Sequence, residues 1–136
     1  MKRITIALLA TAGLTGAALA QDMTPGVTAS DQDVSGGSVM ATSVTAPEQG
    51  WLVIHRTDAE MKPGPVVGHA PLTEGMNENV SAELTEDVAS GDMLMLMVHS
   101  EAGGEEMGVF EYTLGAKEDG PIRVDGKLVT ATITAN

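Results

Sequence analysis

The sequence predicts an all-β fold: an antiparallel β-sandwich of immunoglobulin-like size, built from about seven to nine short strands. Three observations carry that prediction. Apolar and polar residues alternate with a period of two along most of the chain. Turn-forming Gly, Pro, Asn and Asp recur roughly every eight to twelve positions. No window shows the 3.6-residue period of an amphipathic helix.

The elements follow in order. Residues 1–20 read as a secretory signal peptide, with basic Met1-Lys2-Arg3, an apolar stretch from Ile4 to Leu14, and an A-x-A cleavage site at Ala18-Leu19-Ala20. The stretch is too short to span a bilayer. The mature chain is therefore expected to start at Gln21 and to work in the periplasm or outside the cell. Residues 21–26 read as a short polar leader and 27–136 as a single β-sandwich domain. After the Gly36-Gly37 turn, Val39, Ala41 and Ser43 alternate with Met40, Thr42 and Val44. Trp51 to His55 is a continuous apolar run opened by Gly50, the mark of a central strand. Pro63-Gly64-Pro65 breaks a loop before the Val66 strand. Thr73 to Ser90 holds good helix formers, but Val80, Ala82 and Leu84 alternate with Ser81, Glu83 and Thr85, which argues for a strand. Met93 to His99 is the longest apolar strand, and Val109 to Leu114 follows the Gly103-Gly104 loop as another. Asp125-Gly126, between Ile122-Arg123-Val124 and Leu128 to Thr134, fits a two-residue hairpin turn because glycine tolerates positive φ.

Composition limits the function. The chain has no cysteine, nineteen acidic against seven basic residues, and a formal charge of −12. Two of the basic residues, Lys2 and Arg3, lie in the signal segment, so the mature chain is more acidic still. Such a surface repels phosphate backbones and anionic lipid, which argues against a nucleic-acid partner and against a membrane partner after signal cleavage. Without cysteine there are no disulfides, no thiol nucleophiles, no lipid attachment at the cleavage site and no blue-copper centre. Trp51, Phe110 and Tyr112 are the only aromatic residues of their kinds, so the core falls to aliphatic residues and methionine.

The order of several motifs is specific. Pro47-Glu48-Gln49-Gly50-Trp51-Leu52-Val53-Ile54-His55 is followed by Val66-Val67-Gly68-His69-Ala70-Pro71-Leu72, Gly75, and Val80-Ser81-Ala82-Glu83-Leu84. Then come Leu94, Met97-Val98-His99, Ala102-Gly103, Gly108-Val109-Phe110-Glu111-Tyr112, Asp119-Gly120-Pro121 and Val124-Asp125-Gly126. Over most of residues 38–134 the chain resembles an uncharacterised secreted β-sandwich domain family, a domain of unknown function of bacterial and haloarchaeal surface proteins. In that family a Gly-Trp strand ends in His, and a later strand ends in Met-Leu-His before an acidic-Ala-Gly turn. A Phe-Glu-Phe strand then precedes an Asp-x-Pro-Val hairpin. This chain departs at Ser100-Glu101 and at Glu111-Tyr112. The resemblance implies the fold and an extracytoplasmic setting, and no activity.

Three constellations bear on chemistry. Met93, Met95, Met97 and His99 share one face of their strand, and Leu94, Leu96 and Val98 share the other. Thioether and imidazole together suit copper, particularly Cu(I), whereas methionine is equally the adaptable filler of a core short of aromatics. His55 and His99 each end a strand; if those strands end at one edge of the sandwich, the imidazoles meet there, within reach of Glu101 and Glu111. Two imidazoles with a carboxylate are a ligand set for zinc or Cu(II), and hydrogen bonding to loop backbone is the plainer use of the same histidines. Asp31-Gln32-Asp33-Val34-Ser35-Gly36 copies the opening of a calcium loop, but its twelfth position is Thr42, so an acidic turn is the simpler reading.

Catalytic motifs are lacking. No G-x-S-x-G or H-E-x-x-H is present, and Ser100 points away from the face of His99. Paired Glu105-Glu106 lies in a Gly-rich loop. The first expectation is thus an exported, non-enzymatic binding or interaction module for an envelope protein or a small ligand, without a cofactor. The second is a periplasmic copper or zinc protein using His55, His99, Met97 and Glu101; a hydrolase-like enzyme is third. Metal binding predicts that His55 and His99 lie together, and an interaction module predicts an exposed apolar stripe such as the Met93/Met95/Met97 row.

Overall fold

A computed structural model describes residues 24–102, 106–112 and 118–136. The expected signal segment, the Gly103-Gly104 loop, Glu105 and the end of the expected Val109 to Leu114 strand lie outside the described residues. Among these residues the chain is all β, with nine strands and no helix. They are β1 (Gly26–Thr28), β2 (Ser38–Ala46), β3 (Gly50–Thr57), β4 (Val66–Leu72), β5 (Gly75–Leu84), β6 (Met93–Ser100), β7 (Arg123–Val124), β8 (Lys127–Leu128) and β9 (Thr130–Thr134).

Seven strands form one antiparallel sheet in the order β1-β2-β5-β4-β3-β6-β9, and β7 and β8 make a separate hairpin. The sheet curls until its ends meet. Gln32, beyond β1, pairs with Ala135, beyond β9; the Asn136 amide donates to the Gln32 carbonyl at 2.9 Å, and the Thr134 amide to Asp31 Oδ1 at 2.8 Å. The result is nearly a closed barrel, whose inside is filled by Val39, Ala41, Val44, Leu52, Ile54, Leu72, Leu94, Leu96, Val98 and Ile133. Burial of these aliphatic side chains, at roughly 25 cal/mol per Å², is the main stabilising term in a chain without disulfides.

Strands β3 and β6 differ from the rest because both of their faces are buried. In register Gly50↔Ser100 through Thr57↔Met93, Leu52, Ile54, Leu94, Leu96 and Val98 face the barrel interior. Trp51, Val53, His55, Met95, Met97 and His99 face outward and are nevertheless buried. The Met95 and Met97 row is therefore not an exposed stripe. The cover comes from the chain after β6. Ser100 donates to the Gly120 carbonyl at 2.9 Å, Asp119 to the Ala102 carbonyl at 2.9 Å, and Ile122 to the Val98 carbonyl at 3.1 Å. Val109 to Tyr112, the described part of the expected strand, is part of this cover and is not a strand.

One further reading needs correction. In β2 the buried residues are Val39 and Ala41, then Val44 and Ala46, so Ser43 is not in the inward set. The phase changes at Thr42, opposite Asn79, whose backbone is left-handed at φ 51°. The acidic turn expected at Asp31 to Gly36 is present. Asp31 accepts from Thr134 and Asp33 accepts from the Ser35 amide at 2.8 Å, as in an Asx turn. The Asp125-Gly126 turn is as expected, with both residues at positive φ and Val124 paired with Lys127.

Gly50 admits no side chain, because a Cβ there would run into the backbone carbonyl of His99. Gly50→Ala is expected to destabilise the fold by about 2–3 kcal/mol or more in chemical denaturation. Gly36→Ala, which meets nothing within 4 Å, should stay within about 0.5 kcal/mol of the parent.

Candidate histidine-pair site

The buried outer face of β3 and β6 gathers every aromatic ring in the described chain. Trp51 and His55 come from β3, His69 from β4, His99 from β6, and Phe110 and Tyr112 from the cover. Phe110 stacks on His69 with centroids 4.4 Å apart and meets Trp51 edge-on at 5.5 Å. Tyr112 packs edge-on against His99 at 4.4 Å. His69 lies at the exposed rim of this cluster, whereas His55 and His99 are its most enclosed members, 0% and 1% exposed.

The two buried imidazoles are brought together, though not by a shared edge. Antiparallel neighbours end at opposite edges, so His55, opposite Met95, lies four positions along from His99, opposite Trp51. The Val53–Met97 pair lies between them on the same face. Both side chains lean over that pair, and their Nε2 atoms come to 3.3 Å with the rings nearly parallel, 29° apart.

The other ring nitrogens decide the tautomers. His55 Nδ1 lies 2.8 Å from the Gly64 carbonyl oxygen, and His99 Nδ1 lies 2.6 Å from the Asp119 carbonyl oxygen. A carbonyl only accepts, so both Nδ1 atoms carry a proton and donate it. Burial pushes the pKa of both imidazoles down, that of His99 to about 4, against the pull of the Asp119 carbonyl. At neutral pH each ring is thus neutral, with its proton on Nδ1 and an unprotonated Nε2. Two lone pairs face each other across 3.3 Å in a buried layer.

Asp119 ties the cover to this site. It is fully buried at φ 46°, and while its carbonyl holds His99, its carboxylate accepts the Ala102 amide at 3.1 Å and the Glu111 amide at 2.8 Å. On the other side the Pro63-Gly64-Pro65 loop supplies the His55 contact, and the Pro65 carbonyl accepts the Arg56 amide at 2.9 Å. A register irregularity between Ile54 and His55 accompanies that loop.

Of the other residues singled out in the sequence, Met97 is buried beside the pair. Glu101 is placed elsewhere: its Oε2 accepts the Trp51 indole N–H at 2.6 Å. Glu111 accepts the Glu106 amide at 3.2 Å and does not join the imidazoles in a metal-ligating cluster. Among the described residues, no three His, Asp or Glu side chains converge to hold an ion. Sequence reasoning missed Asp119 and the Gly64 carbonyl. A carboxylate directly before Gly120-Pro121 is the one local sign of a backbone-binding turn.

Two measurements follow. The histidines bind protons more readily when unfolded, at a pKa near 6.5, than when folded. Their contribution is therefore complete above about pH 6.5 and is lost as pH falls toward about 4. Metal-free protein should lose on the order of 3 kcal/mol over that window through His99 alone, read by denaturant unfolding at successive pH values, and His99→Gln should flatten the slope. Asp119→Ala, which strands two backbone amides under the cover, should destabilise by about 2–4 kcal/mol and shift the imidazole resonances of His99.

The family to which the chain is matched is silent on chemistry. No curated protein and no solved structure gives a significant match. The family model described as "Domain of unknown function (DUF7282)" matches residues 25–136, which include every strand and the whole histidine layer. The chain belongs to that family.

Proposed function

We propose that this is an exported, non-enzymatic binding protein whose ligand is a single copper or zinc ion held by Nε2 of His55 and Nε2 of His99. One observation carries the reading: two Nε2 lone pairs aimed at each other 3.3 Å apart, with both Nδ1 atoms committed as donors. Metal–imidazole bonds of about 2.0–2.1 Å at a tetrahedral angle separate two nitrogens by roughly 3.3–3.4 Å. A linear pair would need about 4 Å and a square-planar pair about 2.9 Å. An Nδ1–H donated to a backbone carbonyl is also the usual outer contact of a metal-bound histidine, because it fixes the ring and its tautomer.

The remaining donors favour copper over zinc. Carboxylates near the pair are occupied, Glu101 by Trp51 and Asp119 by two amides. Thioethers share the face, in Met95 and Met97, and thioether with imidazole selects Cu(I). The acidic chain and its signal-like N-terminus support a function outside the cytoplasm, away from nucleic acid and membrane.

The test is a melting series on chelator-treated protein. Cu(I) or Zn(II) at a hundredfold excess over its dissociation constant should add about 2.7 kcal/mol and raise Tm by roughly 8 °C. Imidazole ¹⁵N shifts should move at Nε2 and stay nearly constant at Nδ1. Met97→Leu, close to volume-conserving, should weaken Cu(I) while leaving Zn(II) unchanged. A Tm indifferent to both ions, with Nε2 shifts unmoved, overturns the reading.

A further inference from the structure

A second feature of the outer face lies beyond the histidine pair. The β7–β8 hairpin on one side and the β3–β4 loop on the other wall a groove of about 610 Å³ over β6 and β9. Met95, Thr130, Thr132, Leu128, Met61, Arg123 and Lys127 line it. It is a shallow depression open to solvent rather than an enclosed cleft.

The groove's charge is opposite to that of the chain. Among the described residues the cationic side chains are Arg56, Lys62, Arg123 and Lys127. Arg56 is neutralised by Glu86 at 2.6 Å and Asp92 at 3.2 Å, and Lys62 by Glu60 at 3.3 Å. Arg123 and Lys127 have no ion pair among these residues; Arg123 has only a 3.2 Å contact to the Gly126 carbonyl. In a protein of net charge −12, both unneutralised cations line this one surface depression, Arg123 from the hairpin face it shares with Leu128 and Lys127 from the face it shares with Val124. Among the described residues no carboxylate lines it, so its local charge favours an anion.

The apolar side is also built. Met61 is held at φ 59° in a turn closed by its amide on the Asp58 carbonyl at 3.0 Å. Left-handed backbone is uncommon for a residue other than Gly, Asn or Asp. The strained turn places a half-exposed methionine at the rim, above Met95 and Leu128.

We propose that this groove binds a small organic anion with an apolar body, its carboxylate-type head held at the hairpin by Arg123 with Lys127 adding to the local positive charge, and its body against Met61, Met95 and Leu128. Sodium octanoate is the probe, titrated into the ¹⁵N-labelled full chain, with octyltrimethylammonium as the same tail under the opposite charge. Octanoate should give saturable shifts at Arg123, Lys127, Leu128, Thr130 and Thr132, and octyltrimethylammonium should give none there. Arg123→Gln/Lys127→Gln should weaken octanoate by about tenfold or more, and a rise from about 0.05 to 0.5 M salt should weaken it several-fold. Both side chains are exposed on a surface hairpin, so the variant should melt with the parent; Lys127→Gln alone, with a smaller loss, serves if the double variant does not. Absence of saturable octanoate binding, equal binding of the cationic probe, or unchanged affinity in the variants overturns the proposal.

Discussion

The structure turns on the burial of strands β3 and β6 on both faces. A single curled sheet needs only its concave side covered, and the aliphatic residues of all seven strands do that. The convex side of β3 and β6 carries Trp51, Val53, His55, Met95, Met97 and His99, which is too apolar to leave to water. The segment between β6 and β7 must fold back over it, and that segment is short of aliphatic residues. The cover is therefore made of the chain's two remaining aromatic rings, Phe110 and Tyr112, anchored by polar contacts. This explains why a chain so poor in aromatics concentrates them in one layer.

Polar anchoring inside an apolar layer has consequences for charge. Each imidazole trades solvation for one strong contact to a carbonyl, and burial then holds it neutral. Asp119 solves the same problem differently, distributing its carboxylate over two backbone amides that would otherwise be unsatisfied beneath the cover. Every buried side-chain nitrogen and oxygen among the described residues has a partner, yet for the two Nε2 atoms that partner is an identical acceptor. A layer satisfied everywhere but at one facing pair of acceptors is unusual for packing alone, because shifting either ring by a rotamer would separate the lone pairs. Holding them together takes two loops, one on each side, and so the site is specified by its surroundings as much as by the histidines.

Much of the fold was legible because it rests on local rules. Period-two alternation identified most strands, the unbroken apolar runs at 51–55 and 93–99 identified two more without showing that the methionine face of the second is covered, and Asp125-Gly126 identified its turn. The failures lie where geometry is set by a distant partner. The phase change in β2 depends on a left-handed residue in β5, so the inward set slipped from Ser43 to Val44. Val109 to Tyr112 has the pattern of a strand but folds over a face instead of joining an edge. For the site, the residues were legible and the route to their meeting was not. His55 and His99 meet by leaning across Val53 and Met97, not by ending at a common edge, and the tautomers come from carbonyls at Gly64 and Asp119 that no motif announces.

The histidine layer and the cationic groove are not independent surfaces, because Met95 belongs to both. It is the cross-strand partner of His55 and also a lining residue of the groove. Packed interiors respond to a displaced side chain by discrete rearrangement, since they have little free volume to absorb it. An apolar body resting on Met95 from the groove side therefore bears on the residue directly opposite His55, on a face that already has its shape constrained by Met97. Thioether side chains, unbranched and deformable, are the ones that can take up such pressure without breaking the sheet register. Methionine at position 95 thus suits a residue with two neighbours to accommodate, where a β-branched residue of strong strand propensity would hold only one shape.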